Sequence, residues 1–197
     1  MNRLLAVAFA ACLALAGSVG AAVPPPASKP LPGDSVLRLE DKFTDQQGRP
    51  FLLAQRRGNV QLVAMFYSSC PYACPMLVDS GKGVEHALSA GERAQLRLLY
   101  LSIDPARDDT KKLAALAAKR KLDPARWTLA RTDDAGVRRT AAVLGVRYRK
   151  LANGEFNHSS VLILLDRDGR VLARTEKLGP VPDPAFLAMV KAALAKA

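Results

Sequence analysis

Residues 60–67 (VQLVAMFY) form an apolar run rich in β-formers, long enough for a buried strand and too short for a core helix. The run passes directly into Ser68-Ser69-Cys70. From Pro75 the apolar spacing becomes helical, with Met76, Leu77, Ser80, Val84 and Leu88 available to one broad face before Gly91 stops it. A second buried-strand run follows at 96–103 (LRLLYLSI). Two apolar strands separated by a helix call for a sheet covered on both faces, which confines the chain to the α/β class.

The rest of the chain continues the alternation. Asp104-Pro105 closes the second strand, Asp108-Asp109-Thr110 supplies caps, and 111–121 reads as a helix whose basic end suits the macrodipole. Residues 127–130 read as a short strand, and 133–144 as a helix capped at Thr132 or Asp133 and stopped by Gly145. Strands at 160–165 and 170–173 flank Asp166-Arg167-Asp168-Gly169, a strong hairpin signal, and a last helix at 183–195 turns Phe186, Leu187, Val190 and Leu194 inward. Upstream, 36–39 and 50–53 flank the turn-like Asp45-Gln46-Gln47-Gly48 as a hairpin. The order predicts an α/β, thioredoxin-like fold: a central mixed β-sheet flanked by helices, with an N-terminal β-hairpin.

Before this domain, residues 1–22 have Arg3 as their only charge, an uncharged apolar run and small residues at Ala21-Ala22, the pattern of a secretory signal peptide. The uncharged span through Val23 approaches the ~20 residues of a membrane helix, so an uncleaved anchor is the alternative. Cys12 lies inside the apolar run and reads as filler of it. Residues 23–33 form a Pro-rich linker, leaving 34–197 as the domain. The expected location is periplasmic or exported, either soluble after cleavage or tethered to the inner membrane by the N-terminus, and the expected state is a monomer. The formal charge of +11 gathers at 111–121, 126–139 and 147–150. Export excludes nucleic acid as the reason for it, leaving an acidic partner, an anionic membrane surface or a plainly solvated basic face.

In an oxidising compartment the two remaining cysteines demand explanation. Cys70-Pro71-Tyr72-Ala73-Cys74-Pro75 lies where a buried strand hands over to a helix, at the carboxyl edge of the sheet. The helix N-terminus favours thiolates, which both disulfide exchange and metal binding require. Three intervening residues put the sulfurs about one helical turn apart, near enough for one metal ion or, after rearrangement, for a disulfide. Dedicated dithiol exchangers use two. Thioredoxin-fold oxidoreductases also place a cis-proline just before the strand facing the dithiol, and this chain offers His158 there instead. Two thiolates and an imidazole suit Cu(I), hold Cu(II) with a further weak donor, and also accept Zn(II). His86 reads as solvent-facing, Met65 and Met76 as core residues, and Asp104 as a strand-end cap that could also orient the site.

Three segments, FYSSCPYACPML, LYLSIDPARDDT and FNHSSVLILLDRDG, resemble the Sco (SenC/PrrC) family of copper proteins, and the likeness runs from about Asp34 to the C-terminus. The resemblance implies one copper ion per chain, Cu(I) or Cu(II), held by Cys70, Cys74 and His158. It also implies a chaperone or assembly factor for the copper site of cytochrome c oxidase, with the subunit bearing that site, or another periplasmic copper or thiol protein, as partner. The alternative is an enzyme, a thiol–disulfide oxidoreductase with Cys70 and Cys74 as its redox pair and Cys70 attacking client disulfides. Tyr72 stands where many members of the family carry an acidic residue, and Asn157 where some do, which alters the charge expected around the metal.

Overall fold

Residues 29–70 and 73–196 are described in the computed structural model. The expected signal peptide lies outside the described residues, and no helix among those described is long and apolar enough to cross a membrane. An N-terminal hairpin of β1 (Lys42–Asp45) and β2 (Pro50–Leu52) leads into β3 (Val60–Phe66), β4 (Leu96–Ser102), β5 (Trp127–Arg131), β8 (Leu162–Leu165) and β9 (Val171–Thr175). Together they make a seven-stranded sheet in the order β2-β1-β5-β4-β3-β8-β9. β3, β4 and β5 are parallel and the remaining pairings antiparallel, so the sheet is mixed as expected. Every residue of β3 is buried.

The helices α1 (Ala73–His86), α3 (Thr110–Lys119), α4 (Asp134–Leu144) and α5 (Pro184–Ala195) contribute Leu77, Val84, Leu113, Val137, Leu144, Phe186 and Val190 to the same core. Asp109 caps α3 by accepting from Lys112 N at 2.7 Å, and Asp133 caps α4 by accepting from Gly136 N at 2.6 Å. Gly145 ends α4 in the left-handed region at φ 62°.

Four local readings change. Residues 36–39 are not the first strand of the hairpin, because Val36–Arg38 is a 3-10 turn capped by Ser35, with Val36 N donating to Gly169 O at 2.9 Å. That bond uses Val36 to plug the turn of the last hairpin, and β1 begins at Lys42 instead. Gly91 does not stop the long helix. α1 ends at His86, and a short α2 (Ala90–Gln95) follows under a reciprocal cap in which Ser89 N donates to Glu92 Oε2 at 2.8 Å. Met65 is in the core, but Met76 is 46% exposed, because it sits on the outer side of the first turns of α1. A second sheet of β6 (Tyr148–Lys150) and β7 (Phe156–His158) was not expected, and it shares no ladder with the main sheet. Its turn carries Asn153-Gly154, with Gly154 at φ 82°.

The direction of α1 is fixed by close approach. A Cβ on Gly81 would lie 2.6 Å from both Trp127 Cη2 and Tyr100 Oη, while one on Gly91 would meet nothing within 4 Å. Further along, buried Glu85 accepts from Trp127 Nε1 and Arg126 Nε, each at 2.6 Å, tying the end of α1 to β5. Helix propensity favours alanine over glycine by ~1 kcal/mol at both positions, whereas overpacking a core contact costs ~1–3 kcal/mol. Urea unfolding is therefore expected to show Gly91→Ala stabilised by up to ~1 kcal/mol and Gly81→Ala destabilised by about 1–2 kcal/mol. A stabilised Gly81→Ala would refute the close packing of α1 on the sheet.

Candidate metal centre

The chain leaves β3 at its carboxyl edge through buried Tyr67, and Cys70 N then donates back to Tyr67 O at 3.2 Å to turn the loop. The loop is held from the neighbouring strand. Asp108, 0% exposed, accepts from the Ser68 backbone N–H at 3.0 Å, from the Ser68 hydroxyl, and from Ser102 Oγ at 2.5 Å. Asp104 N donates to Ser102 Oγ at 3.0 Å, so the whole turn after β4 is built around the same hydroxyl. Cys70 is half-buried and lines a cleft of about 270 Å³ with Ser68, Pro75, Val78, Leu116, Lys119 and Arg120. The backbone of Cys74 lies in the first turn of α1. Tyr72 falls outside the described residues.

His158 arrives from a distant part of the sequence, as the last residue of β7, paired with Tyr148 across the small sheet. Its ring packs edge-on against Tyr67, with centroids 5.8 Å apart and planes at 74°. Tyr67 is the common neighbour of the site. Its hydroxyl donates to Glu155 Oε2 at 3.0 Å, its ring lies 5.3 Å from Phe156, and it hydrogen-bonds Cys70. Burial first, and then the bond to Cys70, raise the Tyr67 pKa, so the phenol stays protonated and keeps its donor.

Arg107 fastens the hairpin to the turn after β4. It donates through Nη2 to Gly154 O at 2.8 Å and through Nη1 to Glu155 Oε1 at 3.4 Å, while its Nε pairs with buried Asp104. The guanidinium also lies 5.9 Å from the Tyr67 ring and 6.0 Å from that of Phe156. Asp104 thus acts by orienting Arg107, beyond closing a strand.

The imidazole itself is half-satisfied. His158 Nδ1 lies 3.2 Å from Ser159 O, a contact that assigns the proton to Nδ1, and Nε2 is buried with no hydrogen-bond partner among the described residues. Burial lowers the His158 pKa below the ordinary value and outweighs the opposing Ser159 contact, so the neutral ring with a bare Nε2 lone pair is the favoured form. A backbone carbonyl holding the far nitrogen is the usual way a ligating histidine is oriented. His86 is exposed at the end of α1 and contributes nothing here.

Tyr67, Arg107, Asp108 and Glu155 were not singled out from the sequence. Asp108 looked like a helix cap because it precedes Asp109, and the only signal that it turns inward is Ser68 and Ser102 waiting at the ends of two adjacent parallel strands.

Three expectations follow. Asp108→Ala leaves the Ser68 and Ser102 donors without their acceptor and should cost about 3 kcal/mol in chemical unfolding. Arg107→Ala should instead speed amide exchange at 156–158 with a smaller global loss, and uniform exchange across the domain would count against the clamp. A depressed histidine pKa means that the unfolded chain binds a proton the folded chain resists, so stability is full above about 6.5 and falls as pH drops through the folded-state value. Metal-free wild type should lose more stability between about pH 7.5 and 5.5 than His158→Asn does, and parallel curves would contradict the burial of the neutral ring.

A protein of Stutzerimonas stutzeri, named as a candidate copper-binding protein, is 29% identical over 72 residues, 36% of this chain, and that match spans only 35% of its own length. The SCO1 protein homolog of Bacillus subtilis is 26% identical over 154 residues, covering 77% of this chain and 79% of that one. The copper-bound structure of ScoI from Bradyrhizobium japonicum superimposes with a TM-score of 0.65 at 23% identity, over 78% of this chain and 96% of that one, which establishes the shared thioredoxin-like fold. The SCO1/SenC family profile matches residues 35–193, from the capped turn before β1 to the last turns of α5. The chain therefore belongs to the SCO1/SenC family.

Proposed function

We propose that this protein binds one copper ion through Cys70, Cys74 and His158 and serves as a periplasmic copper chaperone or assembly factor for the copper site of cytochrome c oxidase. The observation that carries the reading is the bare, buried Nε2 of His158, oriented from behind by Ser159 and packed on the same tyrosine that contacts Cys70. A buried nitrogen with no partner costs free energy unless something binds it. Two soft thiolates with one imidazole make a donor set for Cu(I), and with one more weak donor for Cu(II). Family membership and the copper-bound ScoI relative support copper over zinc. Here copper is the cargo, and the chain's own work is to present the ligands. On this reading residues 1–22 export the chain and 23–33 space the domain from the membrane.

The test is competitive Cu(I) titration of the reduced chain followed by X-ray absorption. The expected result is one ion per chain with two sulfur neighbours and one nitrogen neighbour. His158→Ala should weaken affinity by at least ~10-fold with the fold retained. Equal affinity in wild type and His158→Ala would overturn the ligand set.

One observation favours a second reading as thiol–disulfide oxidoreductase. Cys70 shares its cleft with Lys119 and Arg120, cations that favour a reactive thiolate. Rapid reduction of insulin disulfides, unaffected by His158→Ala, would promote that reading over the first.

A further inference from the structure

The hairpin that carries His158 has two faces of different chemistry. In its register Tyr148 pairs with His158, Arg149 with Asn157 and Lys150 with Phe156. Side chains alternate along a strand, so Tyr148, Lys150, Phe156 and His158 share one face, and Arg147, Arg149, Asn157 and Ser159 share the other. The first face is occupied by the molecule itself. The Tyr148 ring lies tilted 6.3 Å from that of Phe156, Lys150 Nζ lies 5.9 Å above the Phe156 ring, and His158 meets Tyr67.

The second face borders open space. A cavity of about 600 Å³ is lined by Arg147, Arg149, Asn157, Ser159, Ser160 and Glu176, with the edges of Tyr148 and His158. A neighbouring hollow of about 340 Å³ shares Arg147, Ser159 and Glu176 and adds Arg174. Both Arg147 and Arg149 are exposed, and neither forms an ion pair among the described residues. Glu176 is the single carboxylate on the wall and is likewise unpaired there. Arg174 spends one nitrogen on Leu144 O.

We propose that this cavity docks an acidic segment of a partner protein, an extended stretch with carboxylates at alternate positions. Arg147 and Arg149 stand two residues apart on one strand, a separation of about 7 Å that alternating Asp or Glu side chains of a second extended chain reproduce. Guanidinium forks take carboxylates in two parallel hydrogen bonds, and the Asn157 amide with the Ser159 and Ser160 hydroxyls offers neutral donors between them. The hollow is concave, which suits an inserted peptide segment and not a flat bilayer surface. An occupant would rest on the same strand that presents His158, one residue away from it. Docking would thus bring the partner to the metal ligand, and this purpose rests on the copper reading; the docking itself does not.

The test uses the metal-free full-length chain and a synthetic (Glu-Thr)4 peptide, with inorganic phosphate and phosphatidylglycerol vesicles as the competing sources of negative charge. Fluorescence anisotropy at low salt should show the peptide binding wild type, and the double variant Arg147→Glu/Arg149→Glu should weaken it by about 10-fold or more. Lys111→Glu/Lys112→Glu, an equal charge reversal on exposed positions of α3, should leave it within about twofold. Amide shifts on adding peptide should centre on 157–160. Equal weakening in both double variants, or none in either, overturns the proposal, as does dependence on Arg147 and Arg149 for phosphate or vesicles but not for peptide. Cu(I) affinity of the same variants is read separately, so failure of the copper reading leaves the docking result standing.

Discussion

A single buried carboxylate holds the functional edge of this molecule together. Asp108 has no solvent exposure, and its oxygens are taken up by the Ser68 backbone, the Ser68 hydroxyl and the Ser102 hydroxyl. A fully buried carboxyl group is tolerable only when its lone pairs are filled in this way, and the same bonds then become rigid because breaking any of them leaves a buried polar group unpaired. β3 and β4 run parallel and end side by side, so the turn after one can fasten the turn after the other. The cysteine loop is placed by its neighbour more than by its own sequence.

The same turn reaches the other half of the site. Arg107 stands immediately before Asp108, points the opposite way, and binds Gly154 and Glu155 of the small hairpin while Asp104 holds it from beneath. Tyr67 closes the circuit by touching Cys70, Glu155, Phe156 and His158 at once. Groups separated by most of the domain's sequence are brought together by short polar spans from one connecting segment. On the copper reading that arrangement positions the Cys70 loop and the His158 ring, though not equally firmly, before anything binds.

How much of this could be read from the chain depends on how local each cause is. β3 and β4, the caps at Asp109 and Asp133, the stop at Gly145 and the hairpin around Asp166–Gly169 were legible because each is decided by residues within one turn of one another. The 3-10 turn at Val36–Arg38 was not, because its conformation is set by Gly169, far along the chain. Gly91 resembles a terminator, but the stronger signal lies two residues earlier, in the Ser89–Glu92 cap that starts a new helix. At the site, Cys70, Cys74 and His158 stood out by type and order. Their supports did not, since a buried aspartate beside a second aspartate looks like a cap, and an arginine in a basic chain looks like surface.

The two halves of the candidate site differ in how firmly the fold holds them. Cys70 follows a fully buried central strand, and Cys74 lies in the first turn of a helix whose packing admits no extra carbon at Gly81. His158 belongs to a two-stranded sheet that joins no ladder of the main one and is fastened by Arg107, Tyr67 and ring contacts. Two-stranded sheets are marginal alone, and elements held by few side-chain contacts open at lower free energy than a central strand. A carrier that must both grip an ion and surrender it needs one ligand that can leave without disturbing the others. On the copper reading that part would fall to the imidazole, because its hairpin is held by fewer contacts than the strand before Cys70 and the helix that begins beside Cys74.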